Sequence, residues 1–128
     1  MIVLDENIPA DEVNQLRHWH IHPKQIGTDL GRFGLQDRNE IIPLLHRLRR
    51  ATLFTRDLGF YDPDLRHPNY SIVCLDVKRS EVAQYARRFL RHRDFITAAK
   101  RMGSVIRLTP NSIFCWRLNS ERRAKLGW

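Results

Sequence analysis

The chain has 128 residues, 42% of them hydrophobic, with 22 Lys and Arg against 14 Asp and Glu, a net charge of +8. That length gives one domain a real core and leaves no room for two comfortable ones, and no apolar run approaches the ~20 residues of a membrane span. The arginine-rich surplus favours a polyanionic partner, nucleic acid above all or an acidic protein.

The first stretch, Met1 to Pro9, has an apolar strand, Ile2-Val3-Leu4, that runs into two acids, Asp5 and Glu6. No basic leader precedes it, so no signal peptide is expected. A helix is predicted over about 8–19, with Pro9 in its first turn, Asn7 as its cap, and Val13 and Leu16 opening its apolar face. Residues 20–26 read as a second strand weakened by Pro23, and the glycine-rich 27–36 as a loop. Asp37 with Glu40 three positions on resembles a capping box for a helix ending near Arg50, in which Pro43 predicts a kink or a break. "ATLFT", 51–55, is a buried strand leading into Arg56-Asp57, and 58–69 is loop or one short helix. "SIVCLDV", 71–77, is a fourth strand with Asp76 at its end, and a long helix is predicted over about 79–102. Two strands joined at Pro110-Asn111 close the domain as a hairpin. The polar, basic residues 119–128 read as a loose tail, so the division is a domain over 1–118 and a tail over 119–128. Cys74 and Cys115 lie in apolar runs and are expected as buried free thiols, which points to a reducing cytoplasm.

Strands alternating with helices, with near-continuous apolar strands, predict an α/β domain with a mainly parallel sheet and one antiparallel edge. The fully apolar Ile2-Val3-Leu4 is expected as a central strand, flanked by 20–26 and 71–77. Ligands in such sheets bind beyond the carboxyl ends of the strands, and there the acids recur: Asp5 after the first strand, Asp57 after the third, Asp76 after the fourth, with Asp37 starting the helix after the second. Singly, each reads as a cap. Together they form a cluster that repels itself unless a cation neutralises it, and Mg²⁺ or Mn²⁺ prefers such oxygens. A cation held there activates water and steadies the charge of a phosphodiester being cleaved.

Three segments, "VLDENIP" at the start, "GLQDRNEII" in the middle and "LFTRDLGF" at 53–60, resemble in order and spacing the PIN-like domain family, in the branch that opens with Leu-Asp-Glu-Asn-x-Pro. The likeness covers roughly residues 1–117, and "IRLTPNSIFCWRL" is similar to the family's closing strand pair. It implies a three-layer α/β/α fold related to the ribonuclease toxins of the VapC type, whose strand-end acids hold Mg²⁺ or Mn²⁺ and cleave RNA. Asp5, Asp37 and Asp57 match the motif acids as metal ligands and catalytic residues; Asp76 matches a fourth acid more loosely. The loop "LGFYDPD" is longer and more acidic than the family's usual pattern and leaves the role of Asp62 open.

Arg56, beside Asp57, is a candidate for touching a phosphate near the chemistry. Arg87, Arg88 and Arg91, grouped on the long helix, read either as a solvated face or as an RNA-tracking surface. His18, His20 and His22 alternate, so on a strand His20 and His22 share a face, with surface histidines as the simpler reading. The expectation is therefore a metal-dependent ribonuclease, the toxin half of a toxin–antitoxin pair, with RNA as substrate, an antitoxin as partner and a homodimer as a further partner state. Two alternatives stay open: a non-catalytic PIN-fold binding or scaffold protein, and a receiver-like regulatory domain, for which Lys78 after Asp76 is the nearest lysine.

Overall fold

A computed structural model describes residues 1–35 and 38–128. Seven strands, β1 (Ile2–Leu4), β2 (Lys24–Gln25), β3 (Ala51–Thr55), β4 (Tyr70–Leu75), β5 (Val105–Leu108), β6 (Ile113–Trp116) and β7 (Ala124–Leu126), form one sheet in the order β2-β1-β3-β4-β5-β6-β7. The first five run parallel, and β6 and β7 are antiparallel. Among the described residues four α-helices join them: α1 (Ala10–His18), α2 (Arg38–Arg47), α3 (Val82–Leu90) and α4 (Ala98–Arg101).

The alternation of side chains along the strands divides the core in two. Leu4, Phe54, Val73, Leu75 and Ile106 turn toward Val13 and Leu16 of α1 and Val82, Ala86 and Phe89 of α3. Val3, Leu53, Ile72 and Cys74 turn the other way, toward Ile41, Leu44 and Leu45 of α2. The result is an α/β domain with helices on both faces of a mostly parallel sheet.

Several sequence expectations need correction. β1 is flanked by β2 and β3, not by the strand at 71–77. The two longest strands, β3 and β4, are buried at every residue and take the middle, leaving the three-residue β1 one place from the edge. The helix expected over 79–102 is broken: α3 stops at Leu90, the His92 ring accepts a bond from the Asp94 N–H, and Phe95 turns inward to stack on Phe89 at 4.7 Å. Thr97 then caps α4 by accepting from the Lys100 N–H at 3.2 Å, an N-cap residue that local hydrogen bonding favours over a helix interior. The segment 119–128 is not a loose tail, since β7 pairs with β6 and the Trp128 indole donates to the Thr109 carbonyl at 2.8 Å.

β2 is only two residues long, so His20 and His22 share no strand face. His20 instead takes a left-handed turn, φ 62°, after α1. α1 begins at Ala10 after Pro9, without a side-chain cap from Asn7. α2 runs on through Pro43, which is exposed, so the carbonyl deprived of its partner can be hydrated. The capping role expected of Asp37 falls outside the described residues.

Candidate active site at the strand ends

β1 is followed in sequence by β2 on one side and paired with β3 on the other, so the strand order reverses between β1 and β3. Such a reversal opens the crevice in which doubly wound sheets bind ligands. Asp5 leaves β1 there, and Thr55, Arg56 and Asp57 leave β3 there.

Asp5 is held rigidly. Its N–H donates to the Phe54 carbonyl at 3.0 Å, extending the β1–β3 pairing by one residue. The Gln25 side-chain amide lies within reach of three carbonyls of the following turn, those of Asp5, Glu6 and Ile8, at 3.2, 3.3 and 3.1 Å. Only 6% of Asp5 is exposed. Its Oδ2 accepts from the Thr55 hydroxyl at 2.8 Å, while Oδ1 is buried with no hydrogen-bond partner among the described residues. Burial pushes the Asp5 carboxyl above its ordinary range; the Thr55 hydroxyl and the Glu6 backbone N–H pull it down, and the charges of Glu6 and Asp57 push it up again.

Thr55 is itself fully buried, and its Oγ1 also accepts from the Asp57 N–H at 3.1 Å. One hydroxyl thus ties the two acids together. Asp57 is exposed; its Oδ1 caps the turn Leu58–Phe60 by accepting from the Gly59 N–H at 2.8 Å. The cap uses only one carboxylate oxygen, so capping and ligand binding are compatible.

The other candidates divide. Arg56 is exposed and reaches the Val77 carbonyl at 3.3 Å, bridging the rims of β3 and β4. Asp76, at the end of β4, gives Oδ2 to the Arg107 guanidinium at 2.7 and 3.1 Å, so its charge is already matched. Asp62 pairs with Arg38 at 2.7 Å and caps Pro63–Leu65, tying the start of α2 to the loop beyond β3. Glu40 pairs with Arg32. Glu6 accepts from the Gly34 N–H at 2.9 Å and so anchors the glycine-rich loop beside the site.

Arg87, Arg88 and Arg91 are not brought to Asp5. Arg87 and Arg88 lie on α3 and Arg91 caps its C-terminus, in the layer against the opposite face of the sheet, where Arg87 covers the Trp19 ring at 4.4 Å and Arg88 the Trp128 ring at 4.6 Å. Cys74, close enough to feel the charge of Asp57, is no nucleophile, since burial pushes its thiol up to about 12. Sequence reasoning missed Thr55 and Gln25. A threonine in an apolar run reads as an ordinary strand residue, and nothing local signals the carbonyls that Gln25 meets.

Among the described residues, no three His, Cys, Asp or Glu side chains gather as a metal-ligand group, and Asp37 falls outside them. Mg²⁺ is commonly held by only one or two carboxylates and keeps several waters. The orphaned Oδ1 of Asp5 and the spare oxygen of Asp57 are donors of that kind, hard and anionic, and they fit such an ion. Among the described residues no helix is long and apolar enough to cross a membrane. No family model, no curated protein and no solved structure matches this chain.

Proposed function

We propose that this chain is a PIN-like, metal-dependent ribonuclease, with Asp5 and Asp57 holding Mg²⁺ or Mn²⁺ and Asp37 as a third acid from the sequence motif. The observation that carries the reading is the buried Oδ1 of Asp5, without a hydrogen-bond partner among the described residues, at the point where the strand order reverses. A desolvated carboxylate oxygen costs free energy unless a proton or a cation meets it. Two further negative charges stand nearby, and the arginines of the rim point elsewhere: Arg56 to a carbonyl, Arg107 to Asp76.

An ion held by Asp5 and Asp57 would supply charge neutralisation at a phosphodiester and a more acidic water. The chain's own residues do the rest. Thr55 fixes the Asp5 carboxylate and the backbone of Asp57 at once, and Gln25 freezes the turn that carries Asp5. Arg56, exposed beside Asp57, has guanidinium donors beyond the one that meets the Val77 carbonyl, and these would receive the phosphate that the acids would otherwise repel. An antitoxin that covers this edge is the partner the reading implies.

The test is cleavage of mixed RNA by the pure protein in Mn²⁺ or Mg²⁺, with and without chelator. Cleavage that the chelator stops and that Asp57→Asn abolishes supports the reading; a folded protein inert on RNA in either metal would overturn it.

A further inference from the structure

Asp5 begins a row of side chains that crosses the whole sheet. Asp5 follows Leu4, which pairs with Phe54, so it lies level with Thr55. Thr55 pairs with Cys74, Cys74 with Arg107, Arg107 with Phe114 and Phe114 with Lys125. On β6 and β7 the residues between, Ile113, Cys115, Ala124 and Leu126, turn into the core beneath α1 and α3. Phe114 and Lys125 turn to the other face. Phe114 joins neither core cluster and remains half-exposed.

Three cations surround that ring. The Arg123 guanidinium lies 4.8 Å from its centroid, that of Arg107 5.7 Å, and the Lys125 ammonium 5.9 Å. Arg107 is matched by Asp76, but Arg123 and Lys125, both exposed, form no ion pair among the described residues. Phe114 is only partly exposed, but the edge it shows lies among cations, two of which, Arg123 and Lys125, carry no ion pair among the described residues. The same combination, an aromatic face inside a positively charged track, is how proteins hold single-stranded nucleic acid without reading its sequence.

We infer that the partly exposed face of β6 and β7 around Phe114 is a single-strand RNA track, with a base stacked on Phe114 and phosphates met by Arg123 and Lys125. The inference rests on the ribonuclease reading for its occupant and gives that reading its substrate path. Four strand spacings, about 19 Å, separate Phe114 from Asp5 along the row, a span for a few nucleotides of extended strand, which would pass over the residues that bury Thr55 and Cys74. Stacking requires an unpaired base, so the track selects single strands over duplex.

The test measures binding in chelator, where cleavage cannot intervene. Short labelled oligouridine is titrated against wild type, Phe114→Ala, Phe114→Trp and the Arg123→Ala/Lys125→Ala double variant, with duplex RNA and polyglutamate as competitors. Phe114→Ala is expected to weaken binding about 5- to 100-fold, and Phe114→Trp to retain it. The double variant, at exposed positions that leave the fold intact, should flatten the dependence of log K on log salt by about 1 to 2. Unchanged binding in Phe114→Ala, duplex RNA competing as well as single strand, or polyglutamate displacing the oligonucleotide would each overturn the track. Should Phe114→Ala fail to fold, Phe114→Trp and the double variant decide. Stacking-dependent binding without cleavage in Mn²⁺ would keep the track and remove the nuclease; cleavage with binding indifferent to Phe114 would do the reverse.

Discussion

The Thr55 hydroxyl donates to Oδ2 of Asp5 at 2.8 Å across fifty residues of chain, and the other oxygen of that carboxylate is buried without a hydrogen-bond partner among the described residues. This pair joins the ends of β1 and β3 where the strand order reverses, and the same hydroxyl accepts from the Asp57 backbone. Thr55→Val keeps the shape and removes both bonds. It should lower stability by about 1–3 kcal/mol, the cost of leaving a buried polar group unsatisfied, read as a shift in urea midpoint with unchanged slope. It should also reduce metal-dependent cleavage, because the carboxylate loses the group that aims it.

Asp5 also sets a pH dependence. Its carboxyl is raised in the folded protein by burial, against the bond from Thr55, so the native state holds the proton more tightly than the unfolded chain does. The stability this group contributes is fully present below the unfolded value, near 3.8, and is lost as pH rises through the folded value. Metal-free Asp5→Asn should therefore melt higher than wild type at neutral pH. The gap should close on acidification toward the ordinary carboxylate range. Thermal melts in chelator across pH measure it; a gap that stays constant with pH would assign the effect to packing instead.

The glycine loop offers a graded test. Gly27 has φ +89° and an added Cβ would lie 2.9 Å from Glu6 Oε2, whereas Gly34, φ +95°, has nothing within 4 Å. Both Ala variants incur the roughly 1–2 kcal/mol of a left-handed L-residue. Only Gly27→Ala should also dislodge Glu6 from the Gly34 N–H, and it should show the larger loss in denaturant midpoint.

The acids should rank by their partners. Asp76 is matched by Arg107 in a half-exposed pair, worth less than about 1 kcal/mol. Asp76→Asn is expected to keep metal-dependent cleavage within a few fold, while Asp57→Asn loses it. Initial rates in saturating Mn²⁺ distinguish the two, and equal losses would make Asp76 a member of the same site.

Much of the framework was legible because burial writes itself into apolar runs. Residues 51–55 read as a strand and are one, and Asp5 and Asp57 follow their strands as the reading required. What stayed hidden depends on distant partners. β7 has only three residues, Ala124-Lys125-Leu126, too short to show alternation, and its apolar residues meet a core built by α3. The break after Leu90 turns on Phe95 finding Phe89 and on Thr97 capping a new helix, choices that apolar periodicity along 79–102 conceals. The tie between Asp5 and Thr55 crosses fifty residues and leaves no local trace.

The claim that Oδ1 of Asp5 awaits a cation is tested most directly by titrating Mn²⁺ into the RNA-free protein and counting bound ion by its paramagnetic resonance signal. Wild type should bind Mn²⁺ at one site, and folded Asp5→Asn should leave the ion free. Equal binding by both would place the ion elsewhere and contradict the account.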